Sequence, residues 1–306
     1  MVVVSLLMWM GLACSSEKPI ETPIVVSPVS NPDPYKDYLT DEGIYVTFGQ
    51  GIGEPALLKL LAQRDLHPLR SVSIHGQRLT AASAAAIMGA EATSALHSLY
   101  LQESSIGDEG LKAIAAAPRL AQLQHINLDK VGATAKGVTA LANSPHLQPE
   151  SLSLGWQAVG DEGAVALAKA AGIQTLHLES AEIGPTGMVA LLQGTSAKAL
   201  TFITNPGGLD QLSHVSPAVQ GLHFKACGFE SDDIQMLAKA TAPGLTSLSI
   251  KLMSLTDADL HAIIAAPWFK QLDQLVLSAQ RTSPDSRRAL IDAYQGEFLS
   301  IYRKDL

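Results

Sequence analysis

Cysteine is scarce in this sequence. Cys14 and Cys227 are the only two cysteines among its 306 residues, so the chain cannot build the disulfide framework that stabilises many small secreted domains. No group of cysteine and histidine residues has the spacing of a metal site either. We therefore expect no metal and no other cofactor.

Positive charge is also scarce. The 21 lysine and arginine residues are outnumbered by 29 aspartate and glutamate residues, and the formal net charge is −8. Proteins that bind nucleic acid usually carry a basic patch, and the sequence has no cluster of lysine and arginine. The composition therefore argues against nucleic acid as a partner.

Signatures of catalysis are missing as well. The glycine-rich residues 49–53 follow a predicted strand, but they lack the Lys-Ser/Thr pair of a P-loop and the full G-x-G-x-x-G spacing. Neither G-x-S-x-G nor H-E-x-x-H occurs. We predict that the chain is not an enzyme, and we expect no small-molecule substrate.

What the sequence does contain is a repeat. Two apolar residues with one residue between them return at intervals that run from 22 residues (Leu200 to Leu222) to 27 residues (Leu99 to Ile126). The predicted pairs are Val46/Phe48, Val72/Ile74, Leu99/Leu101, Ile126/Leu128, Leu152/Leu154, Leu176/Leu178, Leu200/Phe202, Leu222/Phe224, Leu248/Ile250 and Leu275/Leu277. Such a period predicts a stacked solenoid, and solenoids usually bind through a broad surface.

Each apolar pair lies in a longer frame. The residues Val219-x-x-Leu222-x-Phe224-x-x-Cys227-x-Phe229 fit L-x-x-L-x-L-x-x-N/C-x-L at every position. A turn and a segment of helical periodicity follow each frame, and Thr80, Thr256 and Ser283 stand where a side chain can cap a helix. The pattern resembles the leucine-rich repeat family, and its length resembles the ribonuclease-inhibitor subclass.

The resemblance implies an α/β fold, a leucine-rich-repeat solenoid of about ten repeats in the shape of a horseshoe. A parallel β-sheet would line the concave face and helices the convex face. This domain would span residues 39–306 and end in a strand near residues 298–302. Residues 200–219 are shorter than a full repeat and contain Asn205-Pro206-Gly207-Gly208. We interpret them as a collapsed repeat, with a binding insertion as the alternative.

The N/C position of the frame departs from the family. It holds Gln77, Ser104, Val131, Gln157, Ala181, Cys227, Met253 and Gln280. No continuous asparagine ladder can form, so the turns must satisfy their backbone groups in other ways. Since this position points inward, we expect Cys227 to be a buried thiol and not a nucleophile.

The N-terminus carries a different pattern. Residues 1–13 are apolar and uncharged but too short for a membrane span, which needs about 20 residues. Gly11-Leu12-Ala13-Cys14-Ser15-Ser16 resembles a bacterial lipoprotein signal, which implies cleavage after residue 13 and a lipid on Cys14. Residues 14–38 include a proline-rich stretch typical of an extended tether. The alternative is an ordinary secretory segment.

The predicted concave face supplies the candidate site. Outward-pointing strand residues would line it, and we expect the protein-binding contacts at Tyr100, Asn127, Asp129, His177, Glu179, His223 and Lys225. Protonation of the two histidines would make such binding depend on pH. The alternative is that these residues are ordinary solvated sheet positions.

Together these patterns predict a non-enzymatic, protein-binding lipoprotein of the bacterial envelope. Its membrane contact would be the lipid on Cys14, and the serines that follow resemble the pattern sent to the outer membrane more than to the inner one. The protein partner has no identity in the sequence. Two alternatives stay open: an intracellular regulator that clamps a partner protein, as ribonuclease-inhibitor-like repeats do, and a structural envelope spacer.

Overall fold

A computed structural model describes residues 43–46, 53–62, 68–76 and 79–302 of the chain. Across them runs one parallel sheet of 11 strands, in which each strand pairs with the next in chain order. Helices connect most strands, so the predicted α/β solenoid with a repeating strand–helix unit is confirmed. The predicted signal at residues 1–13, Cys14 and the tether at residues 14–38 lie outside the described residues and stay predictions.

The strands are short and evenly spaced along the chain. They are β1 Gly43–Val46, β2 Ser71–Ile74, β3 Ser98–Tyr100, β4 His125–Asn127, β5 Ser151–Ser153, β6 Thr175–Glu179, β7 Ala199–Ile203, β8 Gly221–Lys225, β9 Ser247–Lys251, β10 Gln274–Ser278 and β11 Phe298–Tyr302. In register, Leu99 of β3 pairs with Ile126 of β4, and Leu222 of β8 pairs with Leu248 of β9. The repeat step therefore equals the distance along the chain between paired residues.

The helices follow the strands in the same order. They are α1 Gly53–Leu61, α2 Ala81–Gly89, α3 Gly107–Ala115, α4 Ala135–Ala142, α5 Gly160–Leu167, α6 Pro185–Gly194, α7 Ser231–Lys239, α8 Asp257–Ala265 and α9 Pro284–Ala293, with short 3₁₀ turns at Glu91–Thr93, Pro118–Leu120 and Phe269–Gln271. Within the described part of the chain, no helix lies between β7 and β8. This confirms the collapsed repeat at residues 200–219, where a single turn is closed by a hydrogen bond from the Leu212 N–H to the Leu209 carbonyl.

The core lies between the sheet and the helices. The inward residues of a repeat, such as Leu99 and Leu101, are fully buried, as are Leu111 and Ile114 of the helix that follows them. Each repeat contributes a similar set, so the buried apolar layer is continuous along the solenoid. Burial of a leucine side chain contributes about 1.5–3 kcal/mol, and this layer is the main stabilising feature of the fold.

The first repeat differs from its prediction. In the structure Ile44 pairs with Val72 and Val46 pairs with Ile74. Ile44 and Val46 therefore take the register positions of the apolar pair in β1, and the predicted pair Val46/Phe48 was wrong by two residues. A shift of two residues preserves the period-two alternation of a strand, so the apolar pattern alone does not distinguish the two registers.

The helix starts follow the predicted capping. The side chains of Thr80, Thr256 and Ser283 each accept a hydrogen bond from a backbone N–H in the first turn of their helix. Carboxylates add a second kind of cap, which links neighbouring repeats. Oδ1 of Asp108, at the start of α3, accepts hydrogen bonds from the N–H groups of Thr134 and Gly137 at the start of α4.

The side chain at the inward turn position forms hydrogen bonds with backbone groups of the turn, and its chemistry differs from one repeat to the next. Nε2 of Gln157 donates to the Leu128 carbonyl, and the hydroxyl of Ser104 donates to the Leu101 carbonyl. Asn205, which the sequence predicts only as part of an interruption, occupies the inward turn position of its repeat and bonds as a ladder asparagine. Its Nδ2 donates to the carbonyl of Leu178 at 2.8 Å, and its Oδ1 accepts from the N–H of Ala181 at 3.0 Å.

In most described repeats the residue before the inward turn position adopts a left-handed conformation. Eight successive repeats share this feature, at Gly76, Glu103, Lys130, Trp156, Ser180, Thr204, Ala226 and Leu252. The backbone N–H of this residue extends the sheet ladder, as when Glu103 donates to the Asp129 carbonyl at 2.9 Å. Because left-handed backbone is unfavourable for residues other than glycine, the ladder bond and the packed core must hold the turn.

Candidate functional site

The outer face of the sheet, predicted to be the concave one, presents side chains in rows. Register places one row at Ser73, Tyr100, Asn127, Ser153, His177, Thr201, His223, Ser249 and Val276. A second row, two residues further along the chain in each repeat, contains Asp129, Glu179, Lys225 and Lys251. The seven predicted contact residues all belong to these two rows. They form a band and not a cluster, since neighbouring strands are spaced at about 4.8 Å.

Two of the predicted contact residues, Asn127 and Asp129, form hydrogen bonds within and between the turns. Asn127 and Asp129 are only 8% and 9% exposed. Oδ1 of Asn127 accepts a hydrogen bond from the N–H of Asp129, and Oδ1 of Asp129 accepts from the Ser153 hydroxyl at 2.8 Å and from the Gly155 N–H at 2.5 Å. These bonds hold β4 to β5 and leave the two side chains little area for a partner.

Three other predicted contacts are more accessible. Tyr100 is partly exposed. His177 and Glu179 lie on the same strand, with Nε2 of the histidine 3.7 Å from Oε2 of the glutamate. This pair places a carboxylate and an imidazole side by side on the outer face, where both can reach a bound molecule.

The pKa of His223 does not fit its predicted role in pH-dependent binding. Burial, together with the positive charges of Lys251, His177 and Lys225, lowers the pKa of His223 to about 4. Its imidazole is therefore neutral near pH 7 and can donate or accept a hydrogen bond without carrying charge. The predicted pH switch of binding at this residue does not fall in the physiological range.

The structure adds a strip of residues that the repeat pattern does not predict. The turn strip consists of His75, Glu103, Lys130 and Trp156, which follow β2, β3, β4 and β5. Nζ of Lys130 lies 2.9 Å from Oε1 of Glu103 and 5.1 Å from the centroid of the Trp156 ring. Glu103 also lies 4.0 Å from Nε2 of His75. An imidazole, a carboxylate, an ammonium group and an aromatic ring thus follow one another across four repeats.

Trp156 is the large aromatic residue of the turn strip. It is 44% exposed, whereas Trp268, beyond α8, is buried. Its φ of 50° and its N–H bond to the Glu179 carbonyl direct it away from the core. One feature of the sequence indicates this exposure. Trp156 lies one residue before the inward turn position, where neighbouring repeats carry the polar residues Glu103, Lys130 and Ser180.

Other chemistry is limited in the part of the chain that the structure describes. It contains no group of three or more histidine, cysteine, aspartate or glutamate side chains that could hold a metal ion. Of its helices, none has both the length and the apolar character to cross a membrane. Cys227 is a buried free thiol, as predicted, and burial raises its pKa, so the thiol stays protonated at neutral pH.

Comparison with known proteins agrees with this repeat geometry. The family model for the Leucine Rich repeat matches residues 95–115 and 173–192. These two segments of the chain therefore match single leucine-rich repeats. The two matched segments include β3 with α3 and β6 with most of α6, so each covers one strand, its turn and its helix. The ribonuclease-inhibitor subclass stays a prediction.

Solved structures with a similar course include a plant ice-binding protein and a TLR13–ssRNA13 complex. The first is 15% identical over 85% of this chain and 80% of that chain, with a TM-score of 0.41. The second is 16% identical over 77% of this chain, with a TM-score of 0.45, and the match spans 36% of the length of that chain. No curated protein matches the sequence.

Proposed function

We propose that this leucine-rich repeat chain is a non-enzymatic protein-binding module that recognises its partner through the outer face of the sheet. Leucine-rich repeats are typical of protein-interaction scaffolds, which supports the general class. The exposed side chain of Trp156 carries the more specific proposal. Tryptophan is enriched among the residues that dominate binding energy at protein interfaces, and exposing one to water without a partner is unfavourable.

The surroundings of Trp156 suit an anchor. Lys130 covers one side of the ring at 5.1 Å and is itself held by Glu103. On the next strand His177 and Glu179 offer polar contacts. An aromatic residue surrounded by partly exposed polar groups matches the common anatomy of an interface, with a desolvated centre and a polar rim.

Site-specific photo-crosslinking tests which face binds. A photo-reactive amino acid would replace Tyr100 or His177 on the outer face, and Lys112 or Lys136 on helices α3 and α4 as matched controls. We expect partner crosslinks from the two sheet positions and few from the helix positions. Crosslinks from the helix positions alone would contradict the assignment. Trp156→Ala should reduce crosslinking at Tyr100 and His177 at least tenfold while the circular dichroism spectrum stays unchanged.

We further propose that the module is displayed at a bacterial envelope, with the outer membrane favoured, by a lipid on Cys14. The support is the sequence around Cys14 and the proline-rich residues that follow it. Metabolic labelling with a palmitate analogue tests the anchor. We expect label on the wild-type chain and none on Cys14→Ala. Absence of label together with a soluble intracellular pool would support the clamp-type regulator in its place.

A further inference from the structure

Two lysines stand side by side at the C-terminal part of the outer face. Lys225 of β8 pairs in register with Lys251 of β9. Paired residues on neighbouring strands lie close together, and like charges in such positions repel each other. The chain places this basic pair on one face although its formal net charge is −8.

No carboxylate neutralises the basic pair within the described residues. The ion pairs found there involve His75, Lys112, Lys130 and His177, and none includes Lys225 or Lys251. Nζ of Lys251 lies 5.3 Å from the centroid of the Tyr302 ring. That contact positions the ammonium group but supplies no full negative charge. Glu179, in the same row, is two strands from Lys225 and lies beside His177.

The neighbouring row adds hydrogen-bonding groups beside the basic pair. His223 and Ser249 pair in register on the same two strands, two residues before the lysines. Ser249 is 3% exposed, and its hydroxyl has no hydrogen-bond partner in the part of the chain that the structure describes. His223 is neutral near pH 7 and offers ring nitrogens. Because the Ser249 hydroxyl is buried, His223 is the residue of this pair that can contact a ligand, and the patch combines two positive charges with its ring nitrogens.

Apolar groups flank the same patch. Leu252 follows Lys251 directly and is 59% exposed, and Tyr302 on β11 is 50% exposed. An exposed leucine in a left-handed turn is costly both in backbone conformation and in solvation. A ligand that brings both negative charge and an apolar side chain would match what these residues present.

We propose that Lys225 and Lys251, with His223 beside them, bind a short acidic segment of the partner protein that carries neighbouring carboxylates and an apolar residue. This inference rests on the proposed function, since it assigns part of the partner's chemistry to the outer face. The carboxylates pair with the two ammonium groups, and the apolar residue packs on Leu252 and Tyr302. Electrostatic complementarity of this kind fixes the register of a partner and accelerates association.

Fluorescence anisotropy with the full chain tests the proposal. The probe is a labelled peptide of alternating Glu-Glu-Leu units, and its control has every glutamate replaced by glutamine. We expect the first peptide to bind, the second to bind at least tenfold more weakly, and binding of the first to fall with salt. Failure of the glutamate peptide to bind the wild-type chain would overturn the proposal.

Matched charge variants locate the binding. Lys225→Glu with Lys251→Glu should weaken peptide binding at least tenfold, whereas Lys112→Glu with Lys136→Glu, which changes the net charge equally on helices α3 and α4, should change it less than twofold. Equal weakening by the two pairs would mean a general field effect and would overturn the site. Lys225→Gln with Lys251→Gln provides a milder form of the test, and circular dichroism shows whether each variant folds.

Two further experiments distinguish the acidic-segment proposal from a phosphate ligand and from failure of the proposed function. Displacement of the peptide by inorganic phosphate, but not by glutamate at the same concentration, would assign a phosphate ligand to the site and overturn the acidic-segment proposal. The photo-crosslinking at Tyr100 and His177 is independent of this peptide. Crosslinks there without peptide binding would reject the acidic segment and leave the proposed function standing. Crosslinks from Lys112 and Lys136 alone would reject the proposed function itself.

Discussion

Asp108 joins its own repeat to Thr134 of the next one. Its Oδ1 accepts a hydrogen bond from the Thr134 N–H and its Oδ2 accepts one from the Thr134 hydroxyl, each at 2.7 Å. Asp161 repeats part of this arrangement, since its Oδ1 accepts from the Gly184 N–H at 2.7 Å. Because each carboxylate of one helix caps the start of the following helix, these bonds couple neighbouring repeats in a fold whose stability depends on such interfaces.

Removing this link should destabilise the solenoid. Asp108→Ala leaves the N–H groups of Thr134 and Gly137 without their acceptor, and we expect a loss of about 1–2 kcal/mol in the free energy of unfolding. Asp108→Asn keeps one acceptor oxygen and should lose less. Urea unfolding followed by circular dichroism measures both. Glu109→Ala is the matched control, because Glu109 bonds only to Lys112 in an exposed pair. Equal effects at positions 108 and 109 would contradict the capping role.

Acid should weaken the same links. Burial raises the pKa of Asp108, but hydrogen bonds from Thr134 and Gly137 outweigh it and lower the pKa below its usual value. Hydrogen bonds from Ser83 and Thr80 lower the pKa of Glu54. A lowered carboxyl pKa means that the unfolded chain takes up protons first. The stability that these two carboxylates contribute should therefore be present above their ordinary pKa of about 4 and be lost as the pH falls below it. The urea midpoint of Asp108→Asn should fall less steeply in this range than that of the wild type.

His223 should produce a second pH effect at higher pH. Its pKa in the folded chain is about 4, whereas an ordinary histidine titrates near about 6.5. As the pH falls from about 6.5 to 4, the unfolded state binds a proton that the folded state refuses, so stability falls in this window by about 1–3 kcal/mol. Subtracting the pH profile of His223→Gln isolates this contribution from the other histidines. Parallel profiles for the two proteins would show that the imidazole is not held neutral.

The periodic leucines made most of this fold predictable, because burial fixes which residues point inward. Other features depend on contacts that a single sequence does not display. The segment around Val46 contains three alternating apolar residues, so two registers satisfy the pattern equally well. Asn205 precedes proline and glycine, which obscured its place in the frame. The exposure of Trp156 follows from a left-handed turn and from Lys130, and neither has a local sequence signature.

The ladder bonds of Asn205 give a further expectation for stability. Asn205→Ala leaves the N–H groups of Ala181 and Ile183 and the Leu178 carbonyl without their buried partner. A loss of about 3 kcal/mol is expected, because each unsatisfied buried group costs roughly 1–3 kcal/mol. Hydrogen exchange should show faster exchange at Ala181 and Ile183 than in the wild type. Asn143→Ala, at the exposed end of α4, should leave both measurements unchanged. Unaltered exchange at the two amides in Asn205→Ala would contradict the role of the ladder.

Two glycines in helices should respond to alanine with opposite signs. Replacement of glycine by alanine within a helix usually stabilises it by about 0.5–1 kcal/mol, because the unfolded chain loses freedom. Gly89 in α2 follows this rule, since nothing lies within 4 Å of an added Cβ atom. At Gly137 in α4 an added Cβ would lie 2.6 Å from Oδ1 of Asp108 and 2.9 Å from its Cα.

The alanine at Gly137 must therefore displace the carboxylate that caps α4. We expect Gly137→Ala to destabilise the chain by about 1–2 kcal/mol, within the range for overpacked sites, and Gly89→Ala to raise the urea midpoint slightly. Combining Gly137→Ala with Asp108→Ala should cost less than the sum of the two single changes, because the clash and the cap share one carboxylate. Additive losses in this double-mutant cycle would mean that the glycine and the aspartate act independently. A combined loss smaller than the sum would establish that Gly137 leaves room for the Asp108 carboxylate, which caps α4 from the preceding repeat.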